Sequence, residues 1–187
     1  GEYHLAEGDM LTIKEFSTFV SANGAKRFAC MTEGGELFLV REKECTVSRI
    51  ADKLLKEKSV KHFFETNHFV CHDAKAVIRL LRLSDIELGA VDFDTMIVSY
   101  LTGSFSRDFS YAAVLGRELG RPASIEMAEE VAHIFEITSS LEKKLESEHM
   151  HHVFFDIELP VIRILADMEE KGIVVDSGFL KKLSIKI

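Results

Sequence analysis

His149, Met150, His151 and His152, with His133 upstream, form the densest run of metal-ligating side chains in the chain. A metal site on a helix wants ligands at i, i+3 or i+4. Adjacent histidines point in different directions, so the run reads as a solvated helix turn near a domain junction. Ser104, Ser106 and Ser110 sit in a polar stretch before a helix, with no base or acid partner to activate a hydroxyl. Gly34-Gly35 is too short to cradle a phosphate and reads as a hairpin turn. Cys30, Cys45 and Cys71 are odd in number and fit no zinc-binding spacing, so they read as buried thiols in a reducing compartment. The remaining chemistry is that of carboxyl groups. Hard divalent ions take oxygen ligands, so any site for them would be built from these groups.

The elements that would carry these residues follow from pattern. Residues 11–22 suggest a short helix. Lys26–Met31 and Glu36–Arg41 read as two strands around a Glu33-Gly34-Gly35 turn. Val47–Lys58 places Val47, Ile50, Ala51, Leu54 and Leu55 on one face and predicts an amphipathic helix. Val60–Phe64 and Phe69–Cys71 read as short strands. Asp73 is suited to cap a helix over Ala74–Arg82. Gly89–Phe93 reads as a strand end, with Asp94 capping Thr95–Leu101. Asp108–Leu119 predicts a helix stopped by Gly120, and residues 123–146 are mostly helical. Strands alternate with helices early and helices dominate late. The expected class is therefore α/β: a mixed sheet flanked by helices, followed by a helical extension.

The size of the chain, 187 residues, suits one full core or one domain plus the start of another. Fourteen Phe and no Trp imply an aliphatic, Phe-rich core. No apolar run approaches the roughly 18 residues of a membrane span, so no membrane partner is expected. The start Gly1-Glu2-Tyr3-His4 is not a signal peptide and reads as a cut end. The net charge of −8 opposes tight binding to a phosphate backbone, which needs clustered Lys and Arg. Lys53, Lys56, Lys58, Arg79 and Arg82 read as polar helix faces without aromatic interleaving. Weak or no DNA binding by the chain itself is expected.

The segment Phe154–Asp176 reads FFDIELPVIRILADMEEKGIVVD. Pro160 stands near a helix start, Val161, Leu165 and Met168 recur at helical spacing, Gly172 ends the helix and Asp176 is suited to cap the next one. This segment closely resembles the entry to the polymerase domain of family A (DNA polymerase I-like) DNA polymerases. Glu158, Pro160, Leu165, Glu169, Gly172, Ile173, Val175 and Asp176 fit that pattern. Upstream, FDTM from Phe93 with SYL from Ser99 resembles the family's exonuclease "FDTM…SYLL" segment. HDAK from His72 resembles its "HNLK" segment, and FACMTEG from Phe28 resembles its first strand, "FAFDTET". The resemblance runs from about Phe28 to the C-terminus.

It implies a ribonuclease H-like sheet domain over residues 26–146, the first polymerase-domain helices over 147–187, and an N-terminal extension of unclear role over 1–25. The family's proofreading chemistry uses four carboxylates to hold two metal ions about 4 Å apart. At the matching positions this chain has Met31, Glu33, Val77 and Val131. Three of the four are apolar, and one Glu cannot hold two ions. Asp73, one helical turn before Val77, Asp94 and Glu130 are the residual candidates; shifting the last motif by one places Glu130 at the ligand position. No catalytic, cofactor-binding or metal residue is thus expected here. The resemblance implies a piece of a DNA-directed DNA polymerase of replication or repair, cytoplasmic and associated with the nucleoid through DNA. Mg²⁺ would serve the intact polymerase, and the degenerate sheet domain would pack on the polymerase domain as a structural element. The alternatives are an active metal-dependent 3′–5′ exonuclease with relocated ligands, or a stand-alone interaction module derived from a polymerase.

Overall fold

The computed structural model describes residues 5–10, 12–22, 27–42, 45–103, 106–122, 124, 127–174 and 177–186. Among the described residues, six strands form one mixed sheet in the order β1-β4-β3-β2-β5-β6. They are β1 (Leu5–Met10), β2 (Phe28–Glu33), β3 (Glu36–Arg41), β4 (Thr46–Ile50), β5 (His68–His72) and β6 (Ala90–Asp94). β2, β3 and β4 form an antiparallel meander; β1 joins β4 in parallel, and β5 and β6 extend the other side in parallel. The β2–β3 turn places Gly34 and Gly35 at φ 58° and 84°. Two successive positive φ angles are what a tight hairpin demands and what glycine supplies without a Cβ clash.

Helices cover both faces: α1 (Ile13–Ser21), α2 (Lys58–Thr66), α3 (Ala74–Arg82), α4 (Thr95–Thr102), α5 (Tyr111–Leu119), α6 (Met127–Val131), α7 (Ile134–Ser147) and α8 (Leu159–Lys171); α9 (Ser177–Lys186) follows. Strand alternation divides the core. Phe28 and Cys30 of β2 face a layer built with α1, α2, α3 and α8. Ala29 and Met31 face a layer built with α4, α5, α6 and α7. Phe63 is a hub of the first layer, meeting Phe16, Phe28, Phe64 and Phe69 edge-on at ring distances of 5.0–5.7 Å.

Two expected elements are corrected. The helix over Val47–Lys58 is instead strand β4, a turn, and a short 3₁₀ turn at Leu54–Lys56. β4 lies between β1 and β3 and is buried on both faces, so its apolar residues need not alternate. Its β-branched Thr46, Val47 and Ile50 favour the strand. The strand over Val60–Phe64 is instead helix α2: Val60, Phe63 and Phe64, at i, i+3 and i+4, all face the core. The N-terminal residues, left without a role by the sequence, supply edge strand β1 and helix α1, whose Phe16 and Phe19 are buried. α5 begins at Tyr111, capped by Ser110, three residues later than the pattern suggested. Ser104 and the proposed Asp176 cap lie outside the described residues.

One helical run joins the two layers. Residues 151–171 are continuous, with a π-helical segment at Val153–Glu158 leading into α8. Phe154 is fully buried in the α7 layer, its ring 5.2 Å from Phe93. Ile162 and Ala166 are buried in the α3 layer. The wider π turn rotates the downstream face relative to the upstream one, so a single helix serves both. Polar contacts surround this seat. Lys75 Nζ lies 2.6 Å from Glu169 Oε1, Arg82 Nη1 reaches Asp167 at 2.7 Å and Glu170 at 2.9 Å, and Arg163 Nη2 donates to the carbonyls of Leu88 and Gly89 at 2.5 Å.

Which contribution holds α8 can be decided by magnitude. The ion pairs are largely exposed to solvent on their acidic side, where such pairs contribute about 1 kcal/mol or less. Removing a buried Ile side chain costs about 2–5 kcal/mol. Ile162→Ala is therefore expected to cost about 3 kcal/mol and Arg82→Ala about 1 kcal/mol, read from urea melts of the two variants. The reverse order would mean that the ion pairs hold the helix.

Candidate functional site

The residues at the family's ligand positions do not converge. Met31 and Val131 are fully buried in the α7 layer, whereas Val77 is fully buried in the opposite layer with Cys30 and Leu39. Glu33 ends β2 beside the hairpin turn and is exposed. Asp73, one turn before the buried Val77, is the N-cap residue of α3. Asp73 sits at φ 56°, in the left-handed region that Asp tolerates, and its carboxyl turns back to accept from Ala76 N at 3.2 Å.

The other candidate carboxyls are engaged in holding backbone. Glu130 Oε1 accepts from Ser124 N at 2.5 Å, and its neighbour Glu129 accepts from the Ser124 hydroxyl at 2.7 Å. Asp94, at the end of β6, is fully buried. Its Oδ2 accepts from Ala74 N at 2.6 Å, and its Oδ1 accepts from Met96 N at 2.9 Å and Ile97 N at 3.2 Å. One carboxylate thus satisfies the first free amides of both α3 and α4, where the helix dipoles also favour negative charge. Among the described residues, no three His, Cys, Asp or Glu side chains are grouped so as to hold a metal ion. Two hard divalent ions need several open carboxylate oxygens, and the donor set here does not fit them.

A polar cluster that spacing did not reveal adjoins Asp94. His72, paired in register with Met31 across β2 and β5, is buried. Its Nδ1 lies 2.9 Å from Thr95 Oγ1, and its ring meets Tyr111 edge-on at 5.0 Å. Tyr111 donates its hydroxyl to the carbonyl of Glu130 at 3.1 Å. These residues are separated by tens of positions in sequence, and no local motif joins them. Burial pulls the His72 imidazole down to about 4, partly opposed by a hydrogen bond with the Phe109 backbone. Burial also raises the Tyr111 phenol. The histidine is accordingly a neutral, packed residue at physiological pH.

Burial pushes the Asp94 carboxyl up to about 6, against the three amides, which pull it down. A carboxyl raised in the folded state favours the protonated fold. Its contribution is present below its ordinary value of 3.8 and is lost as pH rises through about 6. His72, lowered from 6.5 to about 4, contributes above 6.5 and loses that contribution as pH falls through about 4. The two oppose each other between about 4 and 6. A carboxyl-carbon NMR titration of Asp94 is expected to show a midpoint about 6. A midpoint at or below the ordinary value would mean that the amides outweigh burial.

No protein-family model matches the chain. In sequence it is 26% identical over 136 residues to DNA polymerase I of Chloroflexus aurantiacus, covering 60% of this chain and 14% of that protein. It is 26% identical over 132 residues to DNA polymerase I of Bacillus subtilis, covering 59% and 15%. The chain thus spans about a seventh of the length of these curated relatives. In structure it is similar to the polymerase domain of Pol1 from M. smegmatis, solved with DNA primer-template and dNTP. The TM-score is 0.78 with 22% identity, over 96% of this chain and 35% of that one. It is also similar to Brucella melitensis NrnC with bound Mg²⁺, with a TM-score of 0.67 and 14% identity over 82% and 89% of the two chains. The mixed sheet with helices on both faces is the ribonuclease H-like α/β fold of these neighbours, and the sequence matches make the chain a relative of the family A, DNA polymerase I-like proteins.

Proposed function

We propose that this chain is the exonuclease-like part of a DNA-directed DNA polymerase, together with the first helices of the polymerase domain. In this reading the sheet domain no longer hydrolyses DNA and serves to brace the polymerase. The observation that carries the proposal is the state of Met31, Val77 and Val131. Each stands at a position where the family resemblance implies a metal-binding carboxylate, and each is instead a fully buried core residue. Charged groups placed there would be desolvated without partners. Glu33 alone retains an exposed carboxyl at a matching position.

The bracing role is supported by what α8 and the residues just after it leave uncovered. Ile164 and Met168 on α8, with Ile173 and Val174 beyond its end, are large apolar side chains exposed to solvent. A run of this kind is more than the scattered exposure of an ordinary surface and suits a protein contact. The polymerase domain of the same longer protein is the partner that the resemblance implies. DNA and Mg²⁺ would be engaged by that domain, in replication or repair in the cytoplasm at the nucleoid. The acidic chain described here, at −8, would hold DNA weakly or not at all.

A thermal melt with and without millimolar Mn²⁺, run alongside digestion of a labelled DNA single strand, tests the reading. A two-ion site would raise the melting temperature as metal is added. The expected result is no metal-dependent shift and no shortening. An upward shift with stepwise loss from the 3′ end would instead establish a working exonuclease with relocated ligands.

A further inference from the structure

A cavity of about 250 Å³ opens between α4, the segment before α5, and α8. Its walls are apolar, with Met96, Ile97, Phe109, Ile162 and Leu165 among them. Its charged lining residues are unbalanced: Asp73, Asp94 and Glu158 against one basic residue, Lys75. Lys75 is drawn to Glu169, 2.6 Å from its Nζ, so its charge is spent on that partner. Asp94 is committed to three amides, and Asp73 caps α3 through Oδ1. Among the described residues, Asp73 Oδ2 and the Glu158 carboxyl accept no hydrogen bond and form no ion pair. The cavity therefore combines an apolar body with two lining residues that keep unengaged carboxylate oxygens.

We infer that this cavity binds a small organic cation, whose apolar or aromatic body fills it and whose amine or amidinium group meets Asp73 and Glu158. The size suits one ring with a short charged group, since an apolar cavity of about 150 Å³ already holds benzene. The charge selects against anions, nucleotides among them. The apolar wall selects against polyamines, whose further charges would be left desolvated. The face of Phe109 already meets the Arg117 guanidinium, 5.4 Å from its centroid, so the ring of Tyr100, 5.5 Å from that of Phe109, is the aromatic surface left for a cation.

The inference stands apart from the reading of the sheet domain as catalytically silent, and one experiment separates them. The whole 187-residue chain is titrated with benzamidine and followed by amide NMR, with benzyl alcohol and benzoate as the neutral and anionic counterparts. Benzamidine is expected to give saturable shifts at Met96 and Ile97, with both counterparts at least about tenfold weaker. Asp73→Asn keeps a residue that tolerates the left-handed backbone and can still cap α3. It and Glu158→Gln are each expected to weaken benzamidine about tenfold with the rest of the spectrum unchanged. Absence of a benzamidine shift, equal binding of benzyl alcohol, or unchanged affinity in both variants would overturn the inference. Preferential binding of thymidine monophosphate would also overturn it. Broadening of the same amides by Mn²⁺ would overturn both readings, because the carboxyls would then hold metal; benzamidine silence without Mn²⁺ broadening would overturn this one alone.

Discussion

Three hydrogen bonds to a single buried carboxylate, that of Asp94, fix the part of the molecule on which the rest is arranged. The carboxylate ends β6, starts α4 directly, and reaches across to the first amide of α3. α3 lies in one core layer and α4 in the other, so this side chain sets the positions of both layers relative to the sheet. The arrangement is costly to disturb. A carboxylate without those amides would be a buried charge without compensation, and amides without the carboxylate would be orphaned helix donors. Both oxygens of Asp94 are thereby committed to backbone amides, although the residue stands at the C-terminal end of β6, in the parallel part of the sheet, where sites in open α/β sheets are usually found.

Much of this architecture was legible from local signals. Asp73 and Asp94 precede helices with the side-chain chemistry of caps, and Gly34-Gly35 marks a hairpin because few other pairs tolerate two positive φ angles. The residues that misled did so for one physical reason. Between β3 and β5, apolar residues recur on a spacing that both a doubly buried strand and a short helix satisfy, and tertiary packing decides between them. β4 gains two strand neighbours, β1 and β3; α2 gains the Phe cluster around Phe63. Neither partner is visible within the local window.

The candidate site was legible only in what it lacks. Met31, Glu33, Val77 and Val131 could be placed against a family pattern, which sets three apolar residues where the resemblance implies carboxylates. What those positions do instead could not be read, because it depends on which face of the sheet each one meets. Met31 and Val131 share a layer while Val77 belongs to the other, a division created by the pleat of β2 and the placement of α3. The pairing of His72 with Thr95 and Tyr111, and the cavity closed by α8, bring together residues too far apart in sequence for any spacing argument to join.

The helical run over residues 151–171 carries a consequence for how such a chain can change over time. It inserts Phe154 into one layer and Ile162 with Ala166 into the other, and it holds the carbonyls of Leu88 and Gly89 through Arg163. A helix seated in this way cannot be kept while the sheet beneath it is discarded, since both of its buried ends would lose their surroundings. On the function proposed above, the sheet would be insulated from the fate of its chemistry: substitutions that remove a catalytic group but fill the core would be tolerated by the assembly, whereas loss of the sheet as a whole would not. Inheritance of the fold is tied to a lever that leans on it, with no reference to any reaction.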